Sequence, residues 1–292
     1  MDNNRTGEIF IKNQSVKERE FSLTNRNGLE LFFLGTGSAF TKRQYQTNLL
    51  IIKNSDHLLI DCGSKCPQAF YELGASITDI DNYLITHSHA DHIGGLEEVC
   101  LMNRYFAKKK ANMVIGDHYK KILWEMSLRG GVGFNESGNA GVLNFDDYFN
   151  VIKPEPLPEM PRETYSAKVG SIDLKLMRTK HIPDFSHDWQ NSFWSCGVII
   201  DDSVFFTSDT RYDEELITGY DKIFDFKAIF HDCQFFTGGV HASLEELNEL
   251  PPGIKNKTFL THYSDDWEAQ EENVHKYGFK GLAKPFTYYS FP

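Results

Sequence analysis

The stretch Thr86-His87-Ser88-His89-Ala90-Asp91-His92-Ile93-Gly94-Gly95 sets three imidazoles and a carboxylate within six residues, directly after the apolar run Tyr83-Leu84-Ile85. At the end of a strand, residues two apart point the same way, so His87 and His89 can approach one ion together. Asp91 and His92, on the turn that follows, can then face a second ion. Neutral imidazole with carboxylate suits zinc, or manganese and iron where oxygen donors dominate, and a catalytic site keeps one position open for water. A plain polar turn is the poorer explanation, because four such groups repel one another on protonation unless a metal compensates.

The string Thr86-His87-x-His89-x-Asp91-His92-x-Gly94-Gly95 resembles the signature of the metallo-β-lactamase superfamily. That resemblance implies an α/β chain folded as an αββα sandwich, two central mixed sheets flanked by helices, with the metals at one edge and hydrolysis by a metal-bound hydroxide. It points away from the flavodiiron branch, which carries a glutamate where this chain has His89. Gly35-Thr36-Gly37-Ser38-Ala39 lacks the lysine of a phosphate-cradling P-loop. It is similar to the Leu-Gly-Thr-Gly loop of the ribonuclease Z branch and is read as structural.

By the same resemblance, polar residues at further strand ends complete a site. Ser171 to Met177 alternates as a strand and delivers His181, where the family places its third ligand to the first metal. His187 is the rival, but it lies in the irregular Asp184-Phe185-Ser186-His187-Asp188-Trp189 segment, so the strand-end position favours His181. Asp209, after Val204-Phe205-Phe206-Thr207, resembles the aspartate that bridges the metals, and His262 resembles the last ligand of the second metal. The implied set is His87, His89 and His181 for one ion, Asp91, His92 and His262 for the other, and Asp209 between them, with Zn2+ favoured and Mn2+ as the alternative. Asp91, His241 and Asp232 are the expected catalytic residues. In the ribonuclease Z branch a carboxylate and histidine on two such loops form a general acid, so Asp232 would orient His241, and His241 would protonate the leaving oxygen. His231 is read as supporting or structural. Asp61, in Asp61-Cys62-Gly63, either supports the metal loop or caps the helix that starts near Pro67.

The elements that must hold these residues are legible as apolar runs. Leu29 to Leu34, Asn48 to Ile52, His57 to Asp61, Met113 to Gly116, Cys196 to Ile200, Ala228 to Cys233 and Thr258 to Thr261 read as strands, and Leu96 to about Lys110 and Tyr119 to Leu128 as helices. An N-terminal hairpin is expected over about 8–34, from the alternating segments Glu8-Ile9-Phe10-Ile11 and Glu20-Phe21-Ser22-Leu23. Residues 129–160, rich in glycine and then proline, read as a lid over the site or as an ordered connection. Neither repeat nor linker interrupts the chain, so a single domain over 1–292 is expected.

Composition narrows the substrate. A chain of 292 residues that is 40% hydrophobic fills a sizeable core, and its net charge of −11 repels long polyanions. Five scattered cysteines form no Cys-x-x-Cys pair, so they point neither to a disulfide framework nor to a structural zinc site. The N-terminus lacks a signal-peptide core and no run spans a membrane, so a cytoplasmic protein is expected. His181 and Asp209 stand 28 positions apart. Relatives that grip transfer RNA with an extended arm carry a long insertion there, so a small anionic nucleotide is favoured over RNA. The segments around His231-Asp232-Cys233, Val240-His241-Ala242-Ser243 and Leu260-Thr261-His262-Tyr263 resemble the small cyclic-nucleotide phosphodiesterases of the anti-Pycsar type found in phages. The expected activity is hydrolysis of 3′,5′-cyclic mononucleotides to 5′-monophosphates, by a homodimer, since small members of this branch pair. The alternatives are a ribonuclease Z-like endonuclease, another dinuclear metallo-hydrolase such as a lactonase or thioesterase, and a non-hydrolytic nucleotide-binding protein.

Overall fold

The computed structural model describes residues 12–26, 28–138 and 141–291. Two eight-stranded sheets carry the fold. The first runs, in spatial order, Lys12–Ser15, Thr287–Phe291, Leu29–Gly35, Asn48–Lys53, Asp56–Ile60, Asn82–Leu84, Ala111–Val114, Phe149–Ile152. The second runs Glu155–Pro156, Thr164–Val169, Ile172–Arg178, Cys196–Ile200, Val204–Phe206, Ala228–Asp232, Thr258–Thr261, Gly281–Leu282. Each begins as an antiparallel meander and turns parallel, at Asp56–Ile60 in one and at Val204–Phe206 in the other.

Both faces of each sheet are covered, which explains why the strands are apolar runs rather than strict alternations. In Leu29–Gly35, Leu31 and Phe33 face the other sheet and pack with Leu176, Phe206 and Phe230, while Phe32 and Leu34 join the helix-side core with Phe70, Leu96 and Tyr119. On the far side, the helix Glu214–Phe224 buries Leu216, Ile217 and Tyr220 against the second sheet. Helices, sheet, sheet and helices therefore stack as the αββα sandwich expected.

The meander-then-parallel topology decides where the chemistry sits. Leu29–Gly35, Asp56–Ile60 and Asn82–Leu84 run in one direction, because two antiparallel steps separate the first pair and the second pair is parallel. By the same count Ile172–Arg178, Val204–Phe206, Ala228–Asp232 and Thr258–Thr261 share a direction. The C-terminal end of each strand then hands its next residues to one edge of its sheet.

The N-terminal hairpin is corrected. Glu8 to Ile11 lie outside the described residues, and Glu20 to Leu23 form no strand. The place beside Leu29–Gly35 is taken by Thr287–Phe291 from the other end of the chain, with Lys12–Ser15 outside it. Phe21 serves as packing instead, with its ring 5.4 Å from Phe32 and 6.0 Å from Phe70. Within residues 129–160, Phe149–Ile152 pairs with Ala111–Val114 at the sheet edge, and Phe145 and Tyr148 are buried in the helix-side core. All five cysteines are free and buried. No helix among the described residues is long and apolar enough to cross a membrane.

Candidate metal centre

The strand ends converge. His87, His89, His181 and Asp209 offer one donor atom each within 4.8 Å of one another, and Asp91, His92, Asp209 and His262 form a second such group. Asp209 belongs to both. Its Oδ2 lies 3.2 Å from His92 Nε2, 3.3 Å from His262 Nε2, 3.8 Å from His87 Nε2 and 3.9 Å from His181 Nε2. His89 Nδ1 completes the first group, 3.0 Å from His87 Nε2 and 3.2 Å from His181 Nε2. His187, by contrast, is exposed and lines a neighbouring cleft.

Other groups aim these donors by binding the atoms turned away from the centre. His181 Nδ1 donates to the Val240 carbonyl at 2.8 Å, and His92 Nδ1 donates to Asp61 Oδ2 at 2.7 Å. His87 Nδ1 meets Thr86 Oγ1 at 3.2 Å, and His262 Nδ1 lies 3.4 Å from Asp232 Oδ1. Such outer contacts set the ring orientation and tautomer of a metal ligand. They settle the choice left open for Asp61, which accepts from the Thr86 amide at 2.8 Å and from the Thr86 hydroxyl, while the helix Cys66–Glu72 starts at Lys65 with no side-chain cap. Asp61 braces the segment that carries Thr86 and His92.

Backbone strain is concentrated at the same edge. Asp61, Ser208 and His262 each follow or nearly follow a strand end with φ of 64°, 51° and 60°. Left-handed non-glycine residues cost on the order of 1–3 kcal/mol each, and they persist where the surroundings hold them. The Ser208 hydroxyl donates to Thr86 Oγ1 at 2.9 Å, so two of the three kinks are tied through one threonine. The signature string includes Thr86 without giving it a role, and no sequence pattern assigned one to Ser208 or the Val240 carbonyl. The glycine-rich loop also packs here: Ser38 N donates to the Tyr263 carbonyl at 3.0 Å, beside His262.

Electrostatically the site attracts positive charge. Burial depresses the pKa of His87 and His89 and brings His181 to about 4, so these three are neutral and free to donate lone pairs. Burial also opposes charge on His92 and His262, but Asp209 and the nearby carboxylates outweigh it and hold both well above the ordinary range. His92 Nε2 and Asp209 Oδ2 are buried without a hydrogen bond among the described residues, despite their 3.2 Å approach. That is the arrangement expected of ligands round an ion, and the residues fit divalent metal.

Beside this centre, His241 Nδ1 donates to Asp232 Oδ2 at 2.7 Å, and Asp232 also accepts from the Thr210 amide at 3.0 Å. Burial works against a charge on His241, and Asp232 more than offsets it, raising the pKa. The helix Leu244–Leu247 is capped by Ser243 with Glu246, so His241 has no part in capping it. His231 is fully buried and its Nδ1 donates to the Asp232 carbonyl at 2.6 Å, away from the donor groups.

The family model described as Anti-Pycsar protein Apyc1 matches residues 29–289. The chain belongs to this family. The "Anti-Pycsar protein Apyc1" of Bacillus phage BSP38 is 38% identical over 244 residues, covering 82% of this chain and 90% of that one. The protein of the same description from Paenibacillus sp. (strain J14) is 34% identical over 243 residues, covering 82% and 91%. Solved structures of similar shape include the metallo-beta-lactamase fold protein YhfI from Bacillus subtilis, with a TM-score of 0.65 at 15% identity, covering 90% of this chain and 99% of that one. The short form of human tRNase Z gives 0.60 at 16% identity, over 90% and 99%. At such identities these two show the fold, and the Apyc1 family match spans every residue of both donor groups.

Proposed function

We propose that this Apyc1-family chain is a dinuclear metal-dependent phosphodiesterase that opens 3′,5′-cyclic mononucleotides to 5′-monophosphates. The observation that carries this reading is the pair of donor groups sharing Asp209, with the Asp232–His241 pair directly beside them. His87, His89, His181 and Asp209 would hold one ion, and Asp91, His92, His262 and Asp209 the other. Two such ions supply Lewis acidity toward the phosphate oxygens and make a water nucleophilic at neutral pH. The nitrogen-rich donor set favours zinc, with manganese the next choice.

The chain's own residues supply the proton. With Nδ1 committed to Asp232, His241 keeps Nε2 for substrate. As the water oxygen bonds to phosphorus and the P–O3′ bond breaks, His241 gives its Nε2 proton to O3′, and the proton lost by the water restores the imidazolium. Asp232 does not reach the substrate; it fixes the tautomer and stabilises the charged ring.

Family membership supports a small signalling nucleotide as substrate, and the net charge of −11 disfavours long RNA. We further propose a cytoplasmic homodimer. The test is to incubate zinc- or manganese-loaded protein with 3′,5′-cyclic mononucleotides, bis-p-nitrophenyl phosphate and a precursor transfer RNA. The cyclic nucleotides should yield 5′-monophosphates. Cleavage of the RNA with none of the cyclic compounds would sink the proposal, and light scattering at micromolar concentration decides the dimer.

A further inference from the structure

Two clefts open on either side of His241. One, of about 550 Å³, is lined by Lys180, His187 and Arg211 and is polar. The other, of about 380 Å³, has His241 and His262 on its lining together with Phe40 and Phe236. Phe40 is 85% exposed and Phe236 63% exposed, although both stand beside a centre whose residues are buried, or half-buried in the case of His89 and His241. Large aromatic rings held open to water next to a reactive site are surfaces that a ligand can cover.

The rim of this second cleft offers ring faces rather than free polar edges. Asp265 accepts from the Thr41 hydroxyl and from the Lys42 amide at 2.7 Å. Gln234 Nε2 donates to the Gly238 carbonyl, and the Ser264 hydroxyl donates to Asp266. The same Asp265 contacts tie the loop carrying Phe40 to the segment that follows His262, so one aromatic wall is positioned relative to a metal-facing residue.

Building on the proposed cyclic-nucleotide activity, we infer that Phe40 and Phe236 form the base-binding walls of the site: the base of the nucleotide stacks in their cleft while its phosphate lies at the donor groups. Base–aromatic stacking needs only a π-face, which suits a rim where Asp265, Gln234 and Ser264 are already engaged with other groups. The polar cleft across His241 takes the solvent-facing side of the sugar phosphate.

The test compares adenosine 5′-monophosphate with ribose 5-phosphate, by calorimetry and as inhibitors of bis-p-nitrophenyl phosphate hydrolysis, in metal-loaded protein. Wild type should bind the nucleotide more tightly than the sugar phosphate. Phe40→Ala and Phe236→Ala should each weaken the nucleotide by about 5- to 100-fold and leave ribose 5-phosphate unchanged. Both side chains are exposed, so neither change should unfold the protein. Unchanged nucleotide affinity in both variants would overturn the inference, as would equal weakening of the two ligands. So would a loss of nucleotide affinity from Phe185→Ala, an exposed ring of the other cleft, that spares ribose 5-phosphate and exceeds the losses from Phe40→Ala and Phe236→Ala. If wild type fails to open cyclic nucleotides but the Phe40 and Phe236 variants still weaken the monophosphate selectively, the proposed activity falls and the stacking walls stand.

Discussion

Asp232 holds His241 by a 2.7 Å hydrogen bond to Nδ1, and its second carboxylate oxygen reaches within 3.4 Å of His262 Nδ1. One carboxylate therefore contacts both the residue proposed as proton donor and a residue of the second donor group. This double duty separates two substitutions that would otherwise look alike. His241→Ala should slow cyclic-nucleotide hydrolysis by about 10²- to 10⁴-fold, the range for a positioned general acid, at unchanged metal content. Bis-p-nitrophenyl phosphate, whose phenolate leaves without protonation, should be nearly unaffected. Asp232→Asn should give a weaker form of the same selectivity and also lower metal affinity by about 10- to 100-fold, as loss of an outer partner does. Equal slowing of both substrates by His241→Ala would remove the acid role.

Asp209→Ala should strip at least one ion and abolish turnover, because it removes the oxygen common to both donor groups. Metal analysis by mass spectrometry reads this directly. Added chelator should lower the melting temperature of wild type by removing a ligand of the native state, and should shift the variant less. Two ions at full occupancy with normal activity would rule out the bridge.

His181 and His187 make a second comparison. His181→Ala should lose metal and activity together, while His187→Ala should keep its metal. If His187→Ala alone emptied the site, the grouping of His181 with His87 and His89 would be wrong.

Gly63 is needed for contact rather than for its backbone angle. A Cβ there would sit 2.0 Å from the Asp91 carbonyl oxygen. The neighbouring amides of Cys62 and Ser64 donate to the His92 and Ala90 carbonyls at 2.7 and 3.1 Å, so the two segments cannot part cheaply. Gly63→Ala should destabilise by about 1–3 kcal/mol, the usual cost of overpacking, and should lower metal content by displacing Asp91. A urea titration and a metal assay check the two parts; wild-type values in both would show that the loop yields.

Away from the site, Arg162 and Asp213 pair at 2.9 Å with only 6% and 11% of their side chains exposed, too little water to screen them well. Burial opposes the charge on Asp213, but Arg162 and the Leu216 amide outweigh it and hold its pKa below the ordinary value. A carboxylate with a depressed folded pKa stabilises fully above its unfolded pKa of about 3.9, and that stability is lost as pH falls through the folded value. Asp213→Asn should therefore cost about 1.5–3 kcal/mol at pH 7, and the gap from wild type should shrink below about pH 4. A gap that stays constant from pH 7 to 3 in denaturant titrations would place the loss elsewhere.

His87, His89, Asp91 and His92 could be read in the sequence because they fall close together after an apolar run, where local geometry already limits what they can do, whereas His181, Asp209 and His262 were reached through the family resemblance. The interior strands were legible for the same local reason: burial on both faces leaves uninterrupted apolar stretches such as Leu29 to Leu34 and Asn48 to Ile52. Pairing across the whole chain was not. Thr287–Phe291 fills the slot beside Leu29–Gly35, which leaves Phe21 to serve as packing rather than as part of a strand, and no local pattern encodes a partner more than 250 residues away. Likewise, the sequence left Asp61 balanced between two roles, since an aspartate after a strand can cap a helix or turn inward. Only the folded arrangement brings Thr86 and His92 to its carboxylate, because that contact depends on strand order and on a left-handed turn at Asp61 itself.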